Sequence, residues 1–129
     1  MINKLTIEVI PHAQQRYSTI GDYVEDSPGI WRILVSDTGD WKMNALIAFH
    51  EVAELIQTEA AGIAEPIIKA FDERFEASIH PPEGEPGDQP DAPYRQQHST
   101  AEAFERLLAA QIGVDWQEYD KLTKNLWRE

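Results

Sequence analysis

The stretch DWKMNALIAFHEVAELIQTEAAG, residues 40–62, decides the fold. Asp40 is placed to cap a helix with its carboxylate. Gly62 suits the end of one, because glycine accepts the left-handed conformation that closes a last turn. The helix is predicted over 41–61. Between Met43 and Thr58 nearly every residue is apolar or small, and the only ionisable ones are His50, Glu51 and Glu54. A helix that is apolar nearly all round belongs at the centre of a fold.

Upstream of it, residues 3–10 (NKLTIEVI) alternate, with Leu5, Ile7 and Val9 on one face and Thr6, Glu8 and Ile10 on the other. That period of two predicts a strand with one buried face, stopped by Pro11. Residues 20–26 and 30–36 read as two more strands, joined into a hairpin by the turn SPG at 27–29. DTGD at 37–40 is a second turn that leads into the helix.

Downstream, Pro66 suits the first turn of a helix over about 65–77. Ile67, Phe71 and Phe75 give it a core face, with Asp72 and Glu76 repeating beside that face. The stretch PPEGEPGDQPDAP, 81–93, holds five of the eight prolines, two glycines and four acids without a base. It excludes helix and inner strand, and the acidic loop of about 78–97 around it is long enough to be either functional or mobile. Ser99 with Glu102 reads as a capping box that opens a helix with Phe104, Leu107, Leu108 and Ile112 on its core face. Gly113 ends that helix. Asp115 with Glu118 caps a last one, with Tyr119, Leu122 and Leu126 in its stripe. The expected fold is α+β in a single domain, 1–129. A small N-terminal antiparallel sheet of about three strands packs on the long helix, followed by three further helices and the acidic loop.

The 129 residues carry 23 acids against 11 bases, a net charge of −12. Such a surface repels phosphate backbones and anionic membranes, so nucleic-acid and lipid binding are not expected. The chain has no cysteine, which excludes a disulfide scaffold, an iron–sulfur cluster, a Cys-type zinc finger and a thiol nucleophile. No apolar run reaches the roughly 20 residues of a membrane span. The N-terminus MINKLTIEVI lacks a signal-peptide pattern, so the expected location is cytoplasmic.

The chemistry lies in His50-Glu51-Val52-Ala53-Glu54. Positions 50 and 54 are one helical turn apart, so imidazole and carboxylate project side by side and can share one metal ion. Zinc peptidases use two His at this spacing with the intervening Glu as general base. Here the second ligand would be a carboxylate, which zinc and manganese both accept, and Glu51 would be the base. Buried carboxylates without a partner cost several kcal/mol each, so the trio needs something to offset it. A metal would serve, and so would arginines, of which Arg16, Arg32, Arg74 and Arg95 are on offer. His98 is the first choice for a third ligand, with Asp72 and Glu76 next. His12 and His80 lie beside prolines and read as surface residues.

The chain also resembles a family of short, mostly uncharacterised proteins of phage genomes and prophages. The matching residues run from Val9-Ile10-Pro11-His12 and Gly21-Asp22 through His50-Glu51-Val52 with Glu54. They continue through Phe71-Asp72, Phe75-Glu76, Glu85-Pro86-Gly87-Asp88, Ala92-Pro93-Tyr94 and His98 to Glu105-Arg106-Leu107 and Gly113-Val114-Asp115-Trp116. The resemblance implies a phage or prophage origin and a host-cytoplasm location, with no assigned reaction. It groups His50, Glu54, Asp72, Glu76 and His98. Some members carry a further His directly after the tyrosine, where this chain has Arg95.

Two functional expectations follow. One is a zincin-like metal-dependent hydrolase with zinc first, manganese or iron next, in which Glu51 is the base. The other is a non-catalytic acidic accessory protein that binds a host or phage protein, its His/Glu cluster purely structural.

Overall fold

The structure, a computed structural model, describes residues 1–78 and 84–127. His80 and part of the acidic stretch lie outside the described residues. Three strands come first: β1 (Lys4–Ile10), β2 (Gly21–Ser27) and β3 (Ile30–Ser36). Four helices follow: α1 (Trp41–Ala61), α2 (Glu65–Glu76), α3 (Arg95–Gln111) and α4 (Trp116–Trp127). The class is α+β.

The sheet is mixed rather than antiparallel throughout. Its order is β1-β3-β2, with β2 antiparallel to β3 and β1 parallel to it. β1 and β2 run in opposite directions, as consecutive strands would in a meander. The segment between them arcs over the end of the sheet, however, and leaves a gap that β3 fills. Ser36 N donates to Ile20 O (2.8 Å) and Asp37 N to Ile10 O (2.8 Å), which ties both flanks to the end of β3. The central strand is therefore β3, and its Trp31, Ile33 and Val35 form the floor of the core. β1 is an edge strand. Its Ile7 and Val9, expected to be buried, are 53 % and 51 % exposed, because α1 covers β2 and β3.

Asp40 caps α1, accepting from the amides of Lys42 (2.8 Å) and Met43 (3.3 Å), and Gly62 closes the helix at φ 73°. Its inner face presents Leu46, Ile47, His50, Glu54, Leu55 and Thr58. The helix is not enclosed on all sides: Phe49 and Ile56 face outward. On α2 the buried residues are Ile68, Phe71, Asp72 and Phe75, so Phe71 and Phe75 point inward and Ile67 does not.

The larger difference is in α3. It starts at Arg95, one turn before the predicted capping box, so Ser99 and Glu102 lie inside it. Its inward face carries His98, Ala101, Glu105 and Ala109, while Phe104 and Leu107 are exposed and Leu108 and Ile112 are only partly buried. The helix turns a polar and small-residue face towards α1. Ala101 and Ala109 let the two helices approach closely, and the apolar pair is left outside. α4 opens as expected, with Asp115 Oδ1 accepting from Glu118 N (2.9 Å).

Leu46 is fully buried between helix and sheet. Leu46→Ala should lower the unfolding free energy by about 2–5 kcal/mol, whereas Ile56→Ala on the open side of the same helix should change it by only about 0.5 kcal/mol. Urea denaturation of both variants checks the burial assignment.

Candidate metal centre

His50 and Glu54 stand one turn apart on the inner face of α1, and His98 stands on the first turn of α3 opposite them. His50 Nε2 lies 3.2 Å from Glu54 Oε2 and 3.2 Å from His98 Nδ1, and His98 Nδ1 lies 3.0 Å from Glu54 Oε2. All three residues are buried. For metal–ligand bonds of about 2.0–2.2 Å, ligand angles between 90° and 109° put donor atoms about 2.8–3.6 Å apart. The observed triangle falls inside that range, and the three side chains could hold one metal ion.

The surroundings orient each donor. His50 Nδ1 faces Glu105 Oε1 at 2.8 Å, and Tyr119 Oη donates to the other oxygen of Glu105. A carboxylate behind the ring keeps the proton on Nδ1 of a neutral imidazole and leaves the Nε2 lone pair aimed at the triangle. Tyr23 Oη, from β2, donates to Glu54 Oε1 (3.0 Å), which leaves Oε2 to face the two rings. Gly87 packs its backbone on the His98 ring: a Cβ there would lie 2.3 Å from Cγ. Two imidazole nitrogens and a carboxylate oxygen so close together repel one another unless a cation, proton or metal, lies among them.

The charges agree with that need. Burial alone would push the Glu54 carboxyl up, but His50 and His98 outweigh it and hold it down to about 2. Burial likewise pushes His50 down, and Glu105 and Glu54 reverse the shift and raise it well above its ordinary value. His98 is raised against burial by Asp88, Glu54 and Glu85. Among the described residues no Arg or Lys pairs with this cluster. Arg16 binds Asp22 (2.5 Å) and Glu65; Arg32 binds Asp26 (2.7 Å) and Glu8 (3.2 Å). Arg74 lies over the Phe71 ring, and Arg95 is exposed at the start of α3.

Glu51 lines a cavity of about 210 Å³ together with Tyr17, Asp22, His50, Glu54 and Asp72. Its carboxylate lies against Gly21 of β2, where a Cβ would come within 2.6 Å of Oε1. Burial and then the charge of Glu54 raise its carboxyl well above the usual range. Asp72 lines the cavity but is not part of the triangle. It accepts from Tyr94 Oη and Tyr17 Oη (3.1 Å), and burial pushes its carboxyl up to about 7. Glu76 is turned away to accept from Trp127 Nε1 (2.8 Å). His12 is half-buried, with Nδ1 2.9 Å from Ser36 Oγ.

Nothing local in the sequence gives Glu105, Tyr23 or Tyr119 a role in the site. Glu105 follows His98 by seven residues, two helical turns, so both share one face. That spacing is a usable signal, masked by the more apolar residues on the other side of the helix.

No protein-family model, curated protein or solved structure matches this chain.

In metal-free protein, the contribution of the raised His50 and His98 is fully present below about pH 6.5 and declines as pH rises through their folded-state values. That of Glu54 is present above about pH 4.3 and is lost as pH falls towards 2. The raised carboxyls of Glu51 and Asp72 lose their contribution as pH rises above about 4, so stability of the metal-free chain should peak at about pH 4–5 and fall steadily towards alkaline pH. His98→Ala should flatten the fall on the alkaline side. Thermal unfolding followed by circular dichroism across pH 3–9, with chelator present, reads both.

Proposed function

We propose that the chain is a divalent-metal hydrolase of zincin-like type, with His50 Nε2, Glu54 Oε2 and His98 Nδ1 as ligands and zinc as the first-choice ion. The single observation that supports it most is the buried triangle of three donor atoms, 3.0–3.2 Å apart, with no arginine or lysine among the described residues to neutralise it. Two imidazoles and one carboxylate suit zinc and also manganese or iron.

A bound ion would supply Lewis-acid chemistry and lower the pKa of water at the cavity. The protein's own part is then to hold and move a proton beside it. Glu51 fits that role: it lines the same cavity, follows His50 directly on α1, and has a carboxyl that burial raises above the usual carboxylate range. Gly21 leaves room for that carboxylate against the end of β2. Tyr23, Glu105 and Tyr119 are positioning residues that fix Glu54 and His50. Asp72, held by two tyrosines, lies on the cavity wall beyond the ligand triangle.

A phage or prophage origin and a place in the host cytoplasm rest on the sequence resemblance alone. No helix among the described residues is long and apolar enough to cross a membrane.

Elemental analysis of the purified, tag-free chain should find a stoichiometric divalent ion, lost in both His50→Ala and Glu54→Ala. Glu51→Gln should keep the ion and lower hydrolysis of a responsive peptide, amide or phosphoester substrate by about 100-fold or more. If no ion binds even after reconstitution with zinc, manganese and iron, the proposal is wrong, and the triangle is a protonated structural network. Intact hydrolysis in Glu51→Gln would remove Glu51 from the reaction while leaving the metal site standing.

A further inference from the structure

His98 has a second ring nitrogen, and its surroundings are unusual. The residue is only 5 % exposed, and Nε2 is buried without a hydrogen-bond partner. Two carboxylate oxygens nonetheless flank it: Glu85 Oε2 at 3.0 Å and Asp88 Oδ1 at 3.2 Å. They are near enough to accept a hydrogen bond, yet neither makes one along the ring N–H axis. A hydrogen-bond acceptor belongs on that axis. Ligands that share a metal with the nitrogen belong around it, with the ion on the axis. For bonds of about 2.0–2.2 Å, flanking oxygens then fall about 2.8–3.6 Å from the nitrogen, as these do.

The local structure holds this arrangement in place. Pro86–Asp88 form a short 3-10 turn whose Pro86 and Gly87 are buried, with Gly87 against the His98 ring. Asp88 Oδ2 accepts from Glu85 N (3.0 Å), which ties the two acids together and leaves Oδ1 to face Nε2. Among the described residues neither acid pairs with a lysine or arginine. Their side chains are 34 % and 44 % exposed, so an ion can reach them from solvent.

We propose that Glu85, Asp88 and His98 Nε2 form a second divalent-cation site, so that the His98 ring bridges two ions, one on each nitrogen. The outer site is distinct from the inner triangle; only the bridge rests on the reading of that triangle. As the outer ion takes the Nε2 lone pair, the Nε2 proton leaves to solvent. The outer site has one nitrogen and two partly exposed carboxylates, so it binds the more weakly of the two.

The test is a zinc titration of the metal-stripped full-length chain, read by equilibrium dialysis with elemental analysis. The variants are the double variant Glu85→Gln/Asp88→Asn and the single variant Glu54→Ala, with folding checked by circular dichroism. The expected result is about two zinc ions per wild-type chain, the second weaker, and about one in the double variant. With copper(II) in place of zinc, the wild type should show the weakened electron paramagnetic resonance signal of a bridged pair, and the double variant that of isolated ions. One ion in both wild type and double variant overturns the second site and leaves the inner one intact. One ion in the wild type that survives Glu54→Ala but not the double variant overturns the bridge and the inner site together. No ion in any form overturns both.

Discussion

Everything near the centre of this fold depends on one meeting of buried charges. His50 and Glu54 of α1 face His98 and Glu105 of α3 across a gap small enough for direct contact. Removing such groups from water costs several kcal/mol each, and mutual pairing repays it only when the geometry is tight and every lone pair is used. For the carboxylates the structure meets that condition with tyrosines. Tyr23 takes the free oxygen of Glu54, Tyr119 that of Glu105, and Tyr94 one oxygen of the neighbouring Asp72. A tyrosine donates one hydrogen bond and buries a large apolar ring, so the polar cluster sits inside a wall that is otherwise core.

Close approach is the second condition, and it explains where small residues stand. Gly87 lies on the His98 ring, Gly21 on the Glu51 carboxylate, and Ala101 and Ala109 on the face of α3 that meets α1. A side chain at either glycine would push a site residue out of place. The glycines of the acidic loop and of the start of β2 are thus tied to the site rather than to turns alone: neither Gly21 nor Gly87 has the positive φ that would otherwise require glycine.

The legible part of the sequence was the part governed by local rules. Asp40 and Gly62 bracket α1, the SPG turn sets the β2–β3 hairpin, and Asp115 opens α4; each is a short-range signal that the structure bears out. His50, Glu54 and His98 do come together. The misread faces share one cause. Ile7 and Val9 on β1, Ile67 on α2, and Phe104 and Leu107 on α3 look like core by periodicity, and all are exposed. Periodicity shows which residues share a face, not which face turns inward. In α3 the inward choice was made by His98 and Glu105, whose pairing with α1 lies 48 and 55 residues away in sequence and leaves no local trace. Glu76 was misplaced for the same reason: its partner is Trp127, at the far end of the chain.

That separation also determines what an ion would do for the protein. In the unfolded chain His50 and Glu54 remain near neighbours, but His98 is 44 residues from Glu54. Only the folded state brings the third donor into the triangle, with Tyr23 and Glu105 already holding the first two. A ligand set completed by folding binds the native state far better than the unfolded one, so the ion's binding free energy adds to stability. The same set that would position an ion for chemistry would therefore fasten α3, and the acidic loop leading into it, onto α1. In the absence of an ion, protons on the two imidazoles have to do that work alone.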